Sequence, residues 1–251
     1  TRVIVSFGVV LMSRWKAGAI HFSISLAVFL LLLSIILLVW FPGILFSIDG
    51  GWSGLRIVIG VDLVLGPLLT LVVFKAGKPG LKFDLSCIAI FQISSMAAGM
   101  WIVYNERPLA LVLAYDTFFS LSAQEFEDNG KDISVLEGIP GSYPKLIYVE
   151  LPENEFSADV ANMRSQFIGD PLYMQTDKYR PLQGNAESLD GIFRREDSVR
   201  ESVSDELLGQ LREECRFSKF VSTKNSGFVC YGSNEELLTD FYGNEYPQAE
   251  I

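Results

Sequence analysis

Asp62 lies inside the apolar run GVDLVLGPLLTLVVF, residues 60–74. An ionised carboxylate in hydrocarbon costs several kcal/mol unless something pairs with it. Three roles are open to it: a hydrogen-bonding contact between helices, proton exchange, or catalysis. His21 is the only histidine in 251 residues and sits near the start of another apolar stretch. That placement removes a Ser-His-Asp triad outside the membrane and any paired-histidine metal motif. His21 reads as a helix-packing or interfacial residue, since a proton carrier would need partners that the sequence does not name.

The acidic clusters EFED (125–128), RREDSVRE (194–201) and NEE (234–236) lack the Asp-x-Asp-x-Asp-Gly spacing of a calcium loop and read as solvated charge. Carboxylate pairs for sugar hydrolysis carry no weight, because 26 acidic residues after Arg107 guarantee chance pairs. There is no P-loop or GxGxxG motif, and GKPG (77–80) is a turn. No catalytic residue, metal or cofactor is expected. Cysteine usage says more. Cys87 falls in a third apolar stretch and acts there as a small apolar residue. Cys215 and Cys230 lie in the polar half with 14 residues between them, and an oxidising compartment makes a disulfide their default. The alternative is two buried, reduced thiols.

These residues are distributed over two unlike halves. Through Arg107 there are 8 Lys and Arg against 4 Asp and Glu, and from Pro108 onward 12 against 26. A greasy, slightly basic half of charge +4 precedes an acidic half of charge -14. The chain's overall charge of -10 argues against a nucleic-acid partner. Three stretches are long enough to cross a bilayer: Ala17–Phe41, about 37 Å as helix, Ile57–Phe74, about 27 Å, and Leu85–Tyr104, about 30 Å. Against a hydrocarbon core of about 30 Å, the first must tilt and the second barely spans. Arg14, Lys16, Lys75, Lys78 and Lys82 outnumber Arg56 and Arg107, which puts the N-terminus inside and the chain after the third span outside. Trp15, Trp40, Trp52, Trp101 and Tyr104 fall near the span ends, where interfacial aromatics belong. Residues 1–11 precede an ordinary cytoplasmic start at Met12 and are expected to be an upstream extension of the reading frame.

The second span carries features that a simple tether does not need. Gly60, Gly66 and Pro67 surround Asp62, and Pro67 is expected to leave the carbonyl of Leu63 free. Ser95 and Gly99 on the third span have the small-xxx-small spacing of close helix approach. Counted from Ile57, Asp62 lies about 8 Å along its helix, near the depth of Ser34 on the first span. Ser34 is therefore a candidate internal partner, and a helix of another protein is the alternative. Asp62, Gly66, Pro67, Ser95 and Gly99 form the candidate helix-packing or partner-binding set.

Pro108–Ile251 holds enough chain for one core. LALVLAYD (109–116) and KLIYVEL (145–151) predict buried strands. Phe156, Val160, Met163 and Phe167 fit one helical face. SVSDELLGQLREEC (202–215) predicts a helix capped by Ser204 and stapled by Val203, with Leu207, Leu208, Leu211 and Cys215 at helical spacing. FSKFVS and FVCYG flank TKNSG, a hairpin turn, while Tyr173–Arg200 reads mostly as loop. The expected fold is α+β: a three-helix transmembrane anchor at residues 12–107, then a small mixed α/β periplasmic domain at residues 108–251.

MSRWKA, DGGWSGLRIVIGVDLVLGPLLTLVVFKAGKPGLKFDL, YNERPLALV and, more faintly, YPKLIYVELP resemble the type IV pilin accessory proteins, the TfpX/TfpZ group. The resemblance is dense from residue 12 to about 115 and thins beyond. It implies a bacterial inner-membrane protein with a role in pilin stability, pilus assembly or pilus dynamics, and no catalytic residues to carry over. Its implied partners are the type IV major pilin, inner-membrane lipid and other pilus assembly proteins. The reading is a non-enzymatic accessory, chaperone-like factor for type IV pilin. A membrane-embedded pilin-modifying enzyme using carboxylates is the alternative, ahead of an ion- or proton-conducting subunit built on Asp62.

Overall fold

In the computed structural model, residues 13–151, 155–185, 215–231 and 238–242 are described, together with Leu189, Ile192, Phe193 and Val199. Residues 1–11, expected to be an upstream extension, the expected helix 202–215 apart from Cys215, the cluster RREDSVRE apart from Val199, the cluster NEE and the side chain of Phe156 lie outside the described residues. The chain divides into two compact units. One contains residues up to Ser34 together with Ser53–Ile102, and the other contains Ile35–Trp52 together with Val103–Ile251.

The first unit is helical, and Ile35–Trp52 of the second unit interrupts it in the chain. Helix α1 (Arg14–Ile35) continues into a π-helical turn at Ile36–Trp40. After a short helix α2 (Leu45–Ile48), three elements follow without a break: α3 (Gly51–Val58), a π-helical stretch (Ile59–Leu65) and α4 (Gly66–Val73). Helix α5 (Leu81–Glu106) closes the set. Ile20, Leu31, Val72 and Ile93 are all exposed, as lipid-facing positions would be.

Two helices among the described residues, not three, are long and apolar enough to cross a membrane: Arg14–Trp40 and Leu81–Glu106. The expected second span falls short because its apolar part, Ile59–Val73, is only seven π-helical and eight α-helical residues, about 22 Å. Its helix begins earlier than expected, at Gly51, through a turn and a half that holds Arg56. Asp62 therefore lies about 16 Å along this run and not 8 Å.

The second unit is built on a seven-stranded mixed sheet of strands β1 (Pro108–Ala114), β2 (Thr117–Ser122), β3 (Lys145–Val149), β4 (Tyr179–Pro181), β5 (Arg216–Val221), β6 (Ser226–Tyr231) and β7 (Leu238–Tyr242). Their order is β4-β3-β1-β2-β5-β6-β7. β1 pairs antiparallel with β2 and parallel with β3, and β2 pairs parallel with β5. β1 is buried at every position, which explains its unbroken apolar sequence PLALVLA. One face buries Ala110, Val112, Phe126, Leu136, Ile147 and Val149. A second cluster gathers Val199, Phe217, Phe228, Cys230 and Tyr242. Helix α6 (Ala123–Asp128) contains the EFED cluster, and its N-terminus is a full capping box of Ser122 with Glu125.

Helix α7 (Glu155–Met163) and the π-helical turn after it (Arg164–Ile168) occupy the predicted position. Ala161 is the α7 residue that enters the core, while Val160, Met163, Phe167 and Ile168 are exposed. The hairpin β5–β6 forms on the predicted turn, with Ser222 Oγ accepting from the amides of Lys224 and Asn225. Cys215 and Cys230 are joined in a disulfide, their Cα atoms 5.5 Å apart.

Candidate functional site

The π-helical stretch around Asp62 follows from Pro67. In this register the Gly66 amide donates to the carbonyl of Val61, five residues back. The next amide along would serve the Asp62 carbonyl, but it belongs to proline and carries no hydrogen. In this register the Asp62 carbonyl is one that loses its partner. Gln92 of α5 fills the gap, its Nε2 donating to the Asp62 carbonyl at 3.4 Å. Gly66 permits the approach, since a Cβ there would sit 2.0 Å from Gln92 Nε2.

That bond orients the rest of the cluster. With Nε2 of Gln92 donating, its Oε1 is the acceptor that faces His21 Nε2 at 2.8 Å, so His21 Nε2 carries the proton. In the neutral ring Nδ1 then accepts from the Thr70 hydroxyl, 2.5 Å away on α4. One imidazole therefore ties all three helical segments together. Gly18 shows a second close approach, where a Cβ would meet the Leu71 side chain at 2.7 Å.

The Asp62 side chain is 6% exposed, and no described residue donates a hydrogen bond to its carboxylate. Ser34 is not its partner: Ser34 is exposed and donates to the carbonyl of Leu30 on its own helix. Asp62 instead faces a hollow of about 160 Å³ shared with His21, Ser25 and Gln92. Gly66 and Pro67 are buried beside it, and on α5 Ser95 is half-buried and Gly99 buried. Gln92 and Thr70 are the site residues that sequence reading passed over. Both are uncharged polar residues, and the one available signal was their rarity in otherwise apolar helices.

A second buried acid occurs in the sheet unit. Asp49 follows α2 in the segment Ile35–Trp52. The segment is held by Phe41, Leu45 and Ile48, all buried, by Asn225 Nδ2 donating to the Ile48 carbonyl at 2.7 Å, and by the Ser120 hydroxyl donating to Asp49 Oδ2. Burial pushes the Asp49 carboxyl up to about 7, against the opposing pull of the Ser120 and Ser222 hydroxyls. Nearby Lys224 pairs with Glu106 at 3.1 Å. The sheet unit also holds a surface hollow of about 230 Å³ beside the stacked rings of Phe119 and Tyr173. Among the described residues no group of three or more His, Cys, Asp or Glu side chains is placed to hold a metal ion.

Comparison with known proteins adds kinship to this geometry. The chain is 36% identical over 110 residues to "Fimbrial assembly protein, serogroups C1 and C2" of Dichelobacter nodosus, covering 43% of this chain and 83% of that protein. The serogroup I and serogroup E1 fimbrial assembly proteins of the same organism match at 36% identity over 110 residues as well. The matched region spans only 42% of each of those two longer proteins. No family model matches the chain, and no solved structure matches it.

Proposed function

Because this chain belongs to the family of the fimbrial assembly proteins, we propose that it is a non-enzymatic accessory factor that handles type IV pilin at the inner membrane. Its partners on this reading are the major pilin, membrane lipid and other pilus assembly proteins. The observation that carries the reading is the kinship to proteins named for fimbrial assembly, in a chain that joins spanning-length apolar helices to a sheet unit. Pilin before assembly has one membrane-spanning helix and a globular head. A helical unit with a polar interior suits the helix, and a sheet unit outside the membrane suits the head. The polar cluster of His21, Thr70, Gln92 and Asp62 supports the first pairing, because tethering alone requires no polar cluster in lipid.

Deleting the gene is expected to lower surface pili while leaving the pilin transcript unchanged, with this protein and pilin crosslinking in the membrane. Normal piliation, normal twitching and no pilin crosslink would together refute the proposal.

The reading places the sheet unit in the periplasm, which requires the middle helical run, Gly51–Val73, to complete a third crossing. The basic residues Arg14, Lys16, Lys75, Lys78 and Lys82 support that orientation. A reporter active only in the periplasm is expected to work when fused after Arg107 or Ile251 and to fail after Lys78. Activity after Lys78 with none after Arg107 would refute the reading, meaning either an inverted arrangement or crossings by Arg14–Trp40 and Leu81–Glu106 alone.

A further inference from the structure

The hollow in front of Asp62 has a regular frame. On α1 it is lined at His21, Ile24, Ser25 and Val28, and on α5 at positions 89, 92, 93 and 96. Both sets follow the spacing i, i+3, i+4, i+7, which is one face of a helix. Two such faces side by side form a trough about 10 Å long, roughly two helical turns. A trough between two helix faces is the seat a third helix takes in a bundle. Ser25 and Ala89 keep it shallow-walled, so a helix can come close. Asp62, 6% exposed, is among the residues that line it, and no described residue donates a hydrogen bond to its carboxylate. His21 is the one other titratable side chain on the lining, and both of its ring nitrogens are taken up by Thr70 and Gln92.

We propose that this trough seats the single transmembrane helix of pilin, with a hydrogen-bond donor on that helix meeting the Asp62 carboxylate. The proposal rests on the functional reading above and adds to it the face, the depth and the chemistry of contact. An acyl chain fills an apolar trough equally well but leaves the carboxylate unsatisfied, so a helix carrying a donor is the better match.

The test places a photoreactive side chain at Ile93, in the trough, or at Val72, which is exposed on α4 and does not line it. Each full-length variant is expressed with pilin, and adducts are mapped by mass spectrometry in native membranes. Ile93 is expected to give adducts with peptides of the pilin membrane helix, and Val72 to give at least tenfold fewer. Ala89→Phe, which fills the trough from an exposed position, should cut the Ile93 adduct about tenfold. Asp62→Leu should cut it about threefold to tenfold, the range expected from losing one hydrogen bond between membrane helices. Asp62→Asn should keep most of it, because an amide still accepts. The Ile93–Val72 contrast is read without any trough-filling substitution, so it stands even where a variant fails to fold. Lipid adducts alone at Ile93, equal pilin yields from both positions, or an Ile93 adduct indifferent to Ala89→Phe would overturn the trough. Pilin captured solely through the sheet unit would overturn it while sparing the functional reading, and pilin captured from no position would overturn both.

Discussion

Asp49→Asn is expected to raise the stability of the sheet unit at pH 8 and to flatten its dependence on pH between about 4 and 7. The sign follows from proton binding. In the folded protein burial pushes the Asp49 carboxyl up to about 7, against 3.8 for the free side chain. Between those values the folded state holds a proton that the unfolded state has released, so stability falls as pH rises through that window. The full penalty is present above pH 7 and absent below about pH 4. A gap of about three pKa units corresponds to roughly 4 kcal/mol. Asparagine has a similar shape and never ionises, so the variant escapes the loss while still accepting from Ser120. Thermal unfolding of the full chain in detergent at pH 5 and pH 8, followed through protease resistance of the sheet unit, measures the difference. Equal slopes for wild type and variant would show that the buried carboxyl does not govern it.

Breaking the disulfide is the second large effect expected. Cys215 precedes β5 and Cys230 lies on β6 opposite Phe217, so the bridge fastens the open end of a hairpin beside the second core cluster. The half-cystines are 15 positions apart. A closed loop of that length contributes about 3 kcal/mol by restricting the unfolded chain, and losing such a bridge costs about 2–5 kcal/mol in small secreted domains. Cys215→Ser is expected to lower the midpoint of unfolding of the sheet unit by on the order of 10 °C. It also leaves Cys230 as a lone thiol that is 1% exposed. In denatured wild-type protein Cys87 should alkylate without reductant, whereas Cys215 and Cys230 should label only after reduction. Labelling of both without reductant would rule the bridge out.

What the sequence disclosed and what it concealed follow from how each element is buried. β1 and β3 were legible because central strands covered on both faces read as unbroken apolar runs. β2 was missed because its hairpin turns through Tyr115 and Asp116, with Tyr115 at φ 53° and no glycine or asparagine to mark the turn. β4 and β7 are three and five residues long at the two edges of the sheet, too short to show a period. Asp62 announced itself as a charge among apolar residues. Gln92 and Thr70 did not, since neither carries a charge that demands a partner in lipid. Asp49 was hidden in SIDGGW, which has the composition of a surface turn, and nothing local indicates that it packs beneath Ser120. The helix at α7 was legible, but the periodicity could not say that Val160, Met163 and Phe167 would stay outside the core.

The hydrogen bond from Asn225 to the Ile48 carbonyl joins residues 177 positions apart. A ribosome adding about 5–20 residues each second makes the later partner roughly 9–35 s after the earlier one. Throughout that interval the Ile48 carbonyl waits for the hairpin that supplies Asn225. The segment is therefore a built-in waiting step in the birth of the protein. A chain truncated before Asn225 never makes that bond.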